Sequence, residues 1–296
     1  MVHESFATTT RGLRQDTLPY RLFQKAKKLG GWDPNDIDFS QDIVDWNSLT
    51  EVQRAGTLRL LAQFQAGEEA VTLDLLPLIM AIAKEGRLEE EMFLTTFLFE
   101  EAKHTEFFRL LLNALGVTED LTQYHSPTYR KIFYEILPES MNRLLTDQSP
   151  EAIADASVVY NMFVEGVLAE TGYWSFYEGL HKTGKMPGLM KGIGYLKRDE
   201  SRHIGYGTFL LQRLICEHPP LFERMVNRLQ QLAPLSLALN QEGAQGNEGS
   251  PFGVPAEAVI QFSMTQIHAR IDVLKRALGK SIDEIYRIPE AVVGVE

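Results

Sequence analysis

Glu101-Ala-Lys-His104 and Glu200-Ser-Arg-His203 repeat one spacing, Glu-x-x-His, in the two halves of the sequence. Each follows a glutamate inside a long apolar segment, Glu68 for the first and Glu165 for the second, at separations of 33 and 35 residues. Residues three apart on a helix share a face, so each segment directs a carboxylate and an imidazole to one point. Two such helices, with one glutamate from each of two others, form the ligand set of dinuclear carboxylate bundles. The sequence therefore predicts a dinuclear metal site.

A third match, Glu178-Gly-Leu-His181, tests how specific this spacing is. Glu178 follows Glu165 by 13 residues on the same predicted helix. At about 1.5 Å per residue the two lie roughly 20 Å apart along the axis, too far to share a site. His181 precedes Lys-Thr-Gly at a predicted helix end, where a histidine suits the helix dipole. We therefore interpret this match as a surface feature.

Carboxylate and imidazole ligands together suit iron and manganese. Buried glutamates would be costly without cations to neutralise them, which explains acidic residues in apolar strings. Two neighbours compete as ligands, because helical periodicity alone does not separate Glu68 from Glu69, and Glu170 competes with Glu165. Asp199 is a candidate to orient a ligand histidine by accepting its second ring N–H.

The composition is that of an ordinary globular protein, with 296 residues of which 44% are hydrophobic and 23% charged. The net charge of −11 argues against nucleic acid as a partner, since phosphate binding needs a cationic face. The single cysteine, Cys216, permits no internal disulfide and fits a reducing cytoplasm, where we expect the protein. The N-terminus has no apolar core of signal-peptide length, and the longest apolar run, residues 75–83, cannot span a bilayer. We therefore expect no stable membrane insertion.

Helical patterns cover almost the whole chain, and no segment alternates as a strand would. Capping and breaking signals predict helices at residues 18–29, 50–84, 88–115, 127–145, 150–181, 187–218, 221–239 and 255–278. Pro77 should kink the second of these. Residues 32–47 and 242–254 are predicted to be loops, the latter mobile. Two pairs of long helices and a crossover helix predict an all-α, ferritin-like four-helix bundle with additional helices, and residues 1–296 read as a single domain.

Five segments resemble those of a known family. They are Trp32-Asp-Pro-Asn-Asp-Ile-Asp-Phe-Ser-Gln-Asp42, Phe64-Gln-Ala-Gly67-Glu68-Glu-Ala-Val71-Thr, Glu101-Ala-Lys-His104, Val159-Tyr160-Asn-Met-Phe-Val-Glu165-Gly and Asp199-Glu200-Ser-Arg-His203-Ile. With them, residues 18–214 resemble the ligand-binding oxidases related to ribonucleotide reductase small subunits. The resemblance favours Glu68 and Glu165 over their neighbours, which gives the metal ligands Glu68, Glu101, His104, Glu165, Glu200 and His203. It implies a mixed manganese–iron centre, with two irons as the alternative, that activates dioxygen.

The same resemblance implies an ether bond between Val71 and Tyr160, a long-chain fatty acid bound beside the metals, and a homodimer. Val71 follows Glu68 by three residues and so shares its helix face. Tyr160 precedes Glu165 by five residues, about 140° around an ideal helix, so a facing position needs local distortion or a reaching ring. We expect the fatty acid to lie among Gly67, Val71, Phe163, Leu168, Ala169 and Leu196.

Three other functions share the ligand pattern. A reductase small subunit stores a radical on a tyrosine, usually one helical turn after the first motif's histidine, and Phe108 occupies that position here. An iron-storage ferroxidase and an acyl desaturase use similar ligands, but nothing in the sequence predicts a shell-forming surface. The oxidase is therefore the favoured prediction, and the physiological substrate and electron donor are left open.

Overall fold

The computed structural model describes residues 5–244 and 253–294, and all regular secondary structure in these ranges is helical. The α-helices are α1 Ala7–Thr10, α2 Leu18–Leu29, α3 Ser40–Ser48, α4 Glu51–Asp74, α5 Leu76–Lys84, α6 Leu88–Ala114, α7 Pro127–Arg130, α8 Leu137–Asn142, α9 Pro150–Ser157, α10 Glu170–Gly179, α11 Pro187–Glu217, α12 Leu221–Ala244, α13 Ala256–Lys275 and α14 Ile282–Tyr286. Two π-helices, Lys131–Ile136 and Val158–Ala169, and short 3₁₀ turns complete the secondary structure.

Four long segments form the central bundle, as predicted. Helix α4 packs along α6, and the π-helix Val158–Ala169 packs along α11, which also contacts α6. Helices α2, α12 and α13 pack against the outside of this bundle. The interior is apolar and rich in aromatic rings, among them Phe93, Phe97 and Phe107, all fully buried. A four-helix bundle with additional helices is therefore the observed fold.

The predicted helix signals lie at helix starts in the structure. Thr50 and Gln53 form a capping box at the start of α4, and the Ser149 hydroxyl accepts from the amide of Ala152 at the start of α9. Pro77 stands in the first turn of α5, and the helix is interrupted just before it at Leu75. The kink prediction is confirmed.

Two predictions about loops need correction. The sequence predicts a loop at residues 32–47, but Ser40–Ser48 are helical, and the buried Asp42 carboxylate accepts from the amides of Gly188 and Leu189 at 2.8 and 2.7 Å. Asp42 thereby caps the start of α11, a tertiary contact that no local signal reveals. Helix α12 extends to Ala244, beyond the predicted end at residue 239. Of the remaining predicted loop, residues 253 and 254 are not helical, and residues 245–252 lie outside the described residues.

The segment Pro150–Thr183 is long and apolar enough to cross a membrane, judged by length and composition, and it alone passes that test among the described residues. Its apolar window is 83% buried inside the structure, and it carries Glu165 into the bundle core. Uninterrupted apolar runs in the sequence do not reveal this segment, because polar residues divide it. Burial on this scale is typical of the core helix of a bundle.

Close contact between α11 and the π-helix at Gly207 generates a prediction about stability. A Cβ at Gly207 would lie 2.2 Å from Cβ of Asn161, so Gly207→Ala should destabilise the fold by roughly 1–3 kcal/mol. At Gly194, in the same helix, the atom nearest to an added Cβ would lie 3.6 Å away, so Gly194→Ala should stabilise by up to about 1 kcal/mol. Chemical denaturation of both variants checks the pair, and equal stabilities would contradict the close contact.

Candidate metal centre

The six predicted ligand residues converge in the middle of the bundle. Helix α4 contributes Glu68, α6 contributes two residues, the π-helix one and α11 two, and all six are buried. Their ligand atoms form two overlapping groups, each with all atoms within 4.8 Å of one another. The arrangement matches the prediction that two Glu-x-x-His segments face two further glutamates.

The first group surrounds the Nδ1 atom of His104. This nitrogen lies 3.5 Å from Oε2 of Glu68, 3.5 Å from Oε2 of Glu101 and 3.5 Å from Oε1 of Glu200. Three carboxylate oxygens and one imidazole nitrogen therefore point at one position.

The second group surrounds the Nδ1 atom of His203. It lies 2.9 Å from Oε1 of Glu101, 3.4 Å from Oε2 of Glu200 and 3.9 Å from Oε1 of Glu165. Glu101 and Glu200 thus offer one oxygen to each group. Carboxylates that span two positions in this way are suited to bridge two ions.

Within residues 5–244 and 253–294, most of these ligand atoms have no hydrogen-bond partner. The unpartnered buried atoms are both carboxylate oxygens of Glu101, Nδ1 of His104, Oε1 of Glu165, Oε2 of Glu200 and Nδ1 of His203. Buried polar atoms are normally satisfied, so a cluster of unsatisfied acceptors requires a cation. Nitrogen and oxygen ligands without sulfur suit manganese and iron. The residues present therefore fit a pair of such ions.

Burial of several carboxylates close together changes the pKa values in the cluster. Burial raises the pKa of Glu68 to about 8 and raises the pKa of Glu165 well above its ordinary value. Burial also opposes ionisation of Glu101, but the nearby imidazoles of His104 and His203 outweigh it and lower its pKa to about 2. Metal ions binding here would displace protons from the first two carboxylates, so metal uptake is coupled to proton release.

The outer nitrogen of each ligand histidine meets a second carboxylate. Nε2 of His104 lies 3.4 Å from Oδ2 of Asp199, and Nε2 of His203 lies 2.9 Å from Oε2 of Glu100. The Arg202 guanidinium donates to both carboxylates. The predicted role of Asp199 in orienting a histidine agrees with this geometry. The sequence did not single out Glu100, although its position directly before Glu101 repeats the Asp199-Glu200 pair of the second motif.

The competing carboxylates do not join the cluster. Glu69 is exposed, and Glu170 is half-buried outside both ligand groups. In the third Glu-x-x-His match, Glu178 forms an ion pair with Lys182, and His181 is exposed. Glu68 and Glu165 therefore lie in the ligand groups and their competitors do not, and the third match lies at the surface.

Val71 and Tyr160 meet beside the cluster. The Tyr160 hydroxyl donates to the carbonyl oxygen of Val71 at 2.9 Å, and both residues are buried. The predicted local distortion is the π-helix: its i→i+5 hydrogen bonds bring residues five apart, such as Tyr160 and Glu165, towards one face. Burial raises the pKa of Tyr160 well above its ordinary value, so the hydroxyl keeps its proton.

A cavity of about 560 Å³ reaches the cluster from the side of the glutamates. Glu68, Glu165 and Glu200 line its inner end. Of the residues expected around a ligand, Gly67, Val71, Leu168 and Ala169 line it, whereas Phe163 and Leu196 are buried in the core and do not. The cavity has the size and mostly apolar lining of a small-molecule site.

Three further polar contacts were not predicted. The Tyr173 hydroxyl donates to Oε1 of Glu200 at 3.3 Å, and the Asn161 amide donates to Oε2 of Glu165 at 3.0 Å. On the other side of the cluster, the Trp32 indole donates to Oδ2 of Asp199 at 2.7 Å. Only the recurrence of polar residues in apolar strings could have singled out Asn161 and Tyr173.

Comparison with known proteins gives consistent matches. Residues 21–274 match the family described as ribonucleotide reductase, small chain. Among solved structures, an R2-like ligand-binding oxidase with aerobically reconstituted Mn/Fe cofactor is 40% identical, with 92% of this chain and 98% of that chain covered and a TM-score of 0.88. A tyrosine-to-phenylalanine variant with the same cofactor is 39% identical, covers 92% and 99%, and has a TM-score of 0.89. A glycine-to-leucine variant with non-activated Mn/Mn cofactor is 40% identical, covers 92% and 98%, and also has a TM-score of 0.89.

Removing one convergent carboxylate tests the cluster as a metal site. Glu165→Ala should lower the metal content of protein loaded with manganese and iron, because one ion loses an anionic ligand. Glu178→Ala removes a glutamate from the third match and should leave the metal content unchanged. Elemental analysis after gel filtration measures both, and equal metal contents would contradict the assignment.

Proposed function

The chain belongs to the ribonucleotide reductase small-chain family, and within it to the R2-like ligand-binding oxidases, and from this membership we propose a dioxygen-dependent oxidase with a mixed manganese–iron centre. The observation that carries the proposal is the pair of overlapping ligand groups whose buried atoms lack hydrogen-bond partners. Oxidoreductase chemistry follows from the family. A di-iron centre with the same ligands is the alternative.

Glu68, Glu101, His104 and Glu200 would hold one ion, and Glu101, Glu165, Glu200 and His203 the other. When bound, the two ions supply the electrons that reduce dioxygen. The protein's part is to fix the ligands before the ions arrive: Asn161 holds Glu165, and Tyr173 holds Glu200. The surrounding aromatic rings exclude water, which strengthens electrostatic interactions at the centre.

Within this site, we propose that Val71 and Tyr160 become joined by an ether bond. The Cβ–H bond of Val71 and the O–H bond of Tyr160 break, and a bond forms between Cβ and the phenol oxygen. Two electrons and two protons leave the pair, and dioxygen takes them up. Contact between the two residues, with the hydroxyl 2.9 Å from the Val71 carbonyl, makes this oxidation a local event.

We also propose that the cavity holds a long-chain fatty acid. Its apolar walls suit an acyl chain, and its inner end at Glu68, Glu165 and Glu200 would bring the carboxylate to the ions, which offset the cost of burying it. The similar structures are named ligand-binding oxidases, which agrees with a resident ligand. A homodimer and a cytoplasmic location stay predictions from the sequence.

A radical-storing reductase subunit is less well supported. Phe108, at the position where such subunits place their tyrosine, is fully buried and stacks on Phe64 with ring centroids 5.3 Å apart. It has no hydroxyl to oxidise. Tyr160 is instead committed by its contact with Val71 to the proposed cross-link.

Peptide mapping tests the cross-link. After aerobic loading with manganese and iron, the peptides that contain Val71 and Tyr160 should be joined and lighter than their sum by two hydrogens. Tyr160→Phe should abolish the joined species and leave metal content unchanged, because the tyrosine is not a ligand. Separate peptides from fully metallated wild-type protein would count against the oxidase proposal and favour a reductase.

Mass spectrometry of extracted protein tests the ligand. An acyl chain should co-purify with the wild type, and Ala169→Phe, which fills the cavity wall, should reduce its amount. Ala55→Phe enlarges an exposed residue outside the cavity and serves as the control. A wild-type protein without any acyl chain would contradict this part of the proposal.

A further inference from the structure

A second buried polar group lies in the bundle, away from the metal ligands. The hydroxyl of Tyr206 donates to Oε2 of Glu90 at 3.2 Å, and the hydroxyl of Tyr286 donates to Oε1 of the same carboxylate at 3.3 Å. Arg213 lies on the other side, with Nε 3.5 Å from Oε1 of Glu90. Glu90, Tyr206 and Arg213 are at most 1% exposed. Neither metal binding nor the cross-link uses this group.

A series of packed rings joins this group to the metal centre. The ring of Phe97 stacks on the ligand His203 with centroids 3.7 Å apart and planes inclined by 7°. Phe93 follows at 6.0 Å from Phe97, and Tyr206 at 5.2 Å from Phe93. Aromatic contact is therefore continuous from the histidine to the first tyrosine.

The outer end of the series opens to a polar cavity of about 280 Å³. Tyr286 lines this cavity, and the Arg14 guanidinium lies 4.5 Å from the centre of its ring. Arg11, Arg87 and Glu89 are also in the lining. The metal ligands are at most 5% exposed, so electrons from an external reductant must cross the protein to reach them.

We propose that Tyr206 and Tyr286 form a redox relay, which carries electrons one at a time from a small hydrogen-atom-donating reductant in this cavity to the metal centre directly after dioxygen has oxidised it. The inference rests on the proposed oxidase function. It assigns an entry route for the electrons that repeated turnover needs. Phe93 and Phe97 fill the path with packed rings and are not themselves oxidised.

Glu90 accepts and releases the protons that accompany each electron transfer. Tyr206 gives one electron to the oxidised centre, and its hydroxyl proton passes along the existing hydrogen bond to Oε2 of Glu90. Tyr286 then reduces the Tyr206 radical: Tyr206 recovers the proton from Oε2, while the proton of Tyr286 passes to Oε1. The reductant donates a hydrogen atom to the Tyr286 radical, and Glu90 returns the remaining proton to water in the cavity.

A purely structural role for this group makes a different prediction. If Glu90 only neutralises Arg213, loss of a tyrosine hydroxyl should change stability and leave electron transfer to the centre unaffected. The two tyrosines also differ from Tyr195, which stacks at 5.2 Å on Trp32 on the opposite side of the cluster. Tyr195→Phe therefore serves as the matched control: it removes a tyrosine hydroxyl near the cluster but outside the proposed relay.

The test uses full-length protein loaded with manganese and iron without oxygen, then mixed with oxygenated buffer that contains ascorbate. Stopped-flow absorbance follows reduction of the centre, and freeze-quench electron paramagnetic resonance detects tyrosyl radicals. Tyr206→Phe and Tyr286→Phe should slow reduction by about tenfold or more, since a positioned proton-coupled step is lost, and should remove the radical signal. Tyr195→Phe should reduce at the wild-type rate.

Metal content and the Val71–Tyr160 cross-link are measured in every variant. Wild-type reduction rates in both relay variants, or slow reduction in Tyr195→Phe alone, would overturn the relay while the cross-link still supports the oxidase. A wild-type protein that neither binds metal nor cross-links would overturn the proposed function, and the relay with it. Deuterated tyrosine should narrow the radical signal of the wild type, and an unchanged signal would count against tyrosine as the carrier.

Discussion

Burial of four carboxylates and two imidazoles at one point in an apolar bundle is the constraint on which the rest of the structure depends. Carboxylates removed from water without cations or donors are strongly destabilising. Six of the converging atoms have no hydrogen-bond partner in the part of the chain that the structure describes, so that part of the fold alone does not satisfy them. The structure tolerates the cluster because the bundle supplies a rigid, close-packed frame, and two divalent ions would complete its charge balance.

The acidic residue directly before each Glu-x-x-His motif contacts the histidine of the other motif, so the two motifs hold each other in place. Glu100, beside the first motif, contacts the histidine of the second, and Asp199, beside the second, contacts the histidine of the first. Arg202 donates to both of these carboxylates and neutralises charge that the histidines do not. Because each motif orients the other, α6 and α11 cannot shift relative to each other without disturbing both ligand groups.

The sequence, with the family resemblance to choose Glu68 and Glu165, predicted which residues converge, but it did not predict the contacts that hold them in place. Glu101 and His104 follow from the helical i, i+3 relation, which depends on local geometry alone. The π-helix that brings Tyr160 towards Val71 was not predicted from local sequence, and its Asn161 packs closely on Gly207 of α11, a contact between residues distant in sequence. The helix Ser40–Ser48 was also missed, and its Asp42 caps the start of α11, a contact between residues distant in sequence.

The two sides of the cluster differ in a way that suits an oxidase. The large cavity reaches it through Glu68, Glu165 and Glu200, and among the described residues neither ligand histidine lines that cavity. The histidines face aromatic rings instead, His203 stacking on Phe97 and His104 on Trp32 at 6.2 Å. Apolar ligand and oxidisable substrate atoms can thus approach through the glutamates, where ligand positions are open to the cavity. In the proposed relay, electrons approach through His203, where close-packed rings exclude water, so the apolar ligand and the electrons take separate routes to the centre.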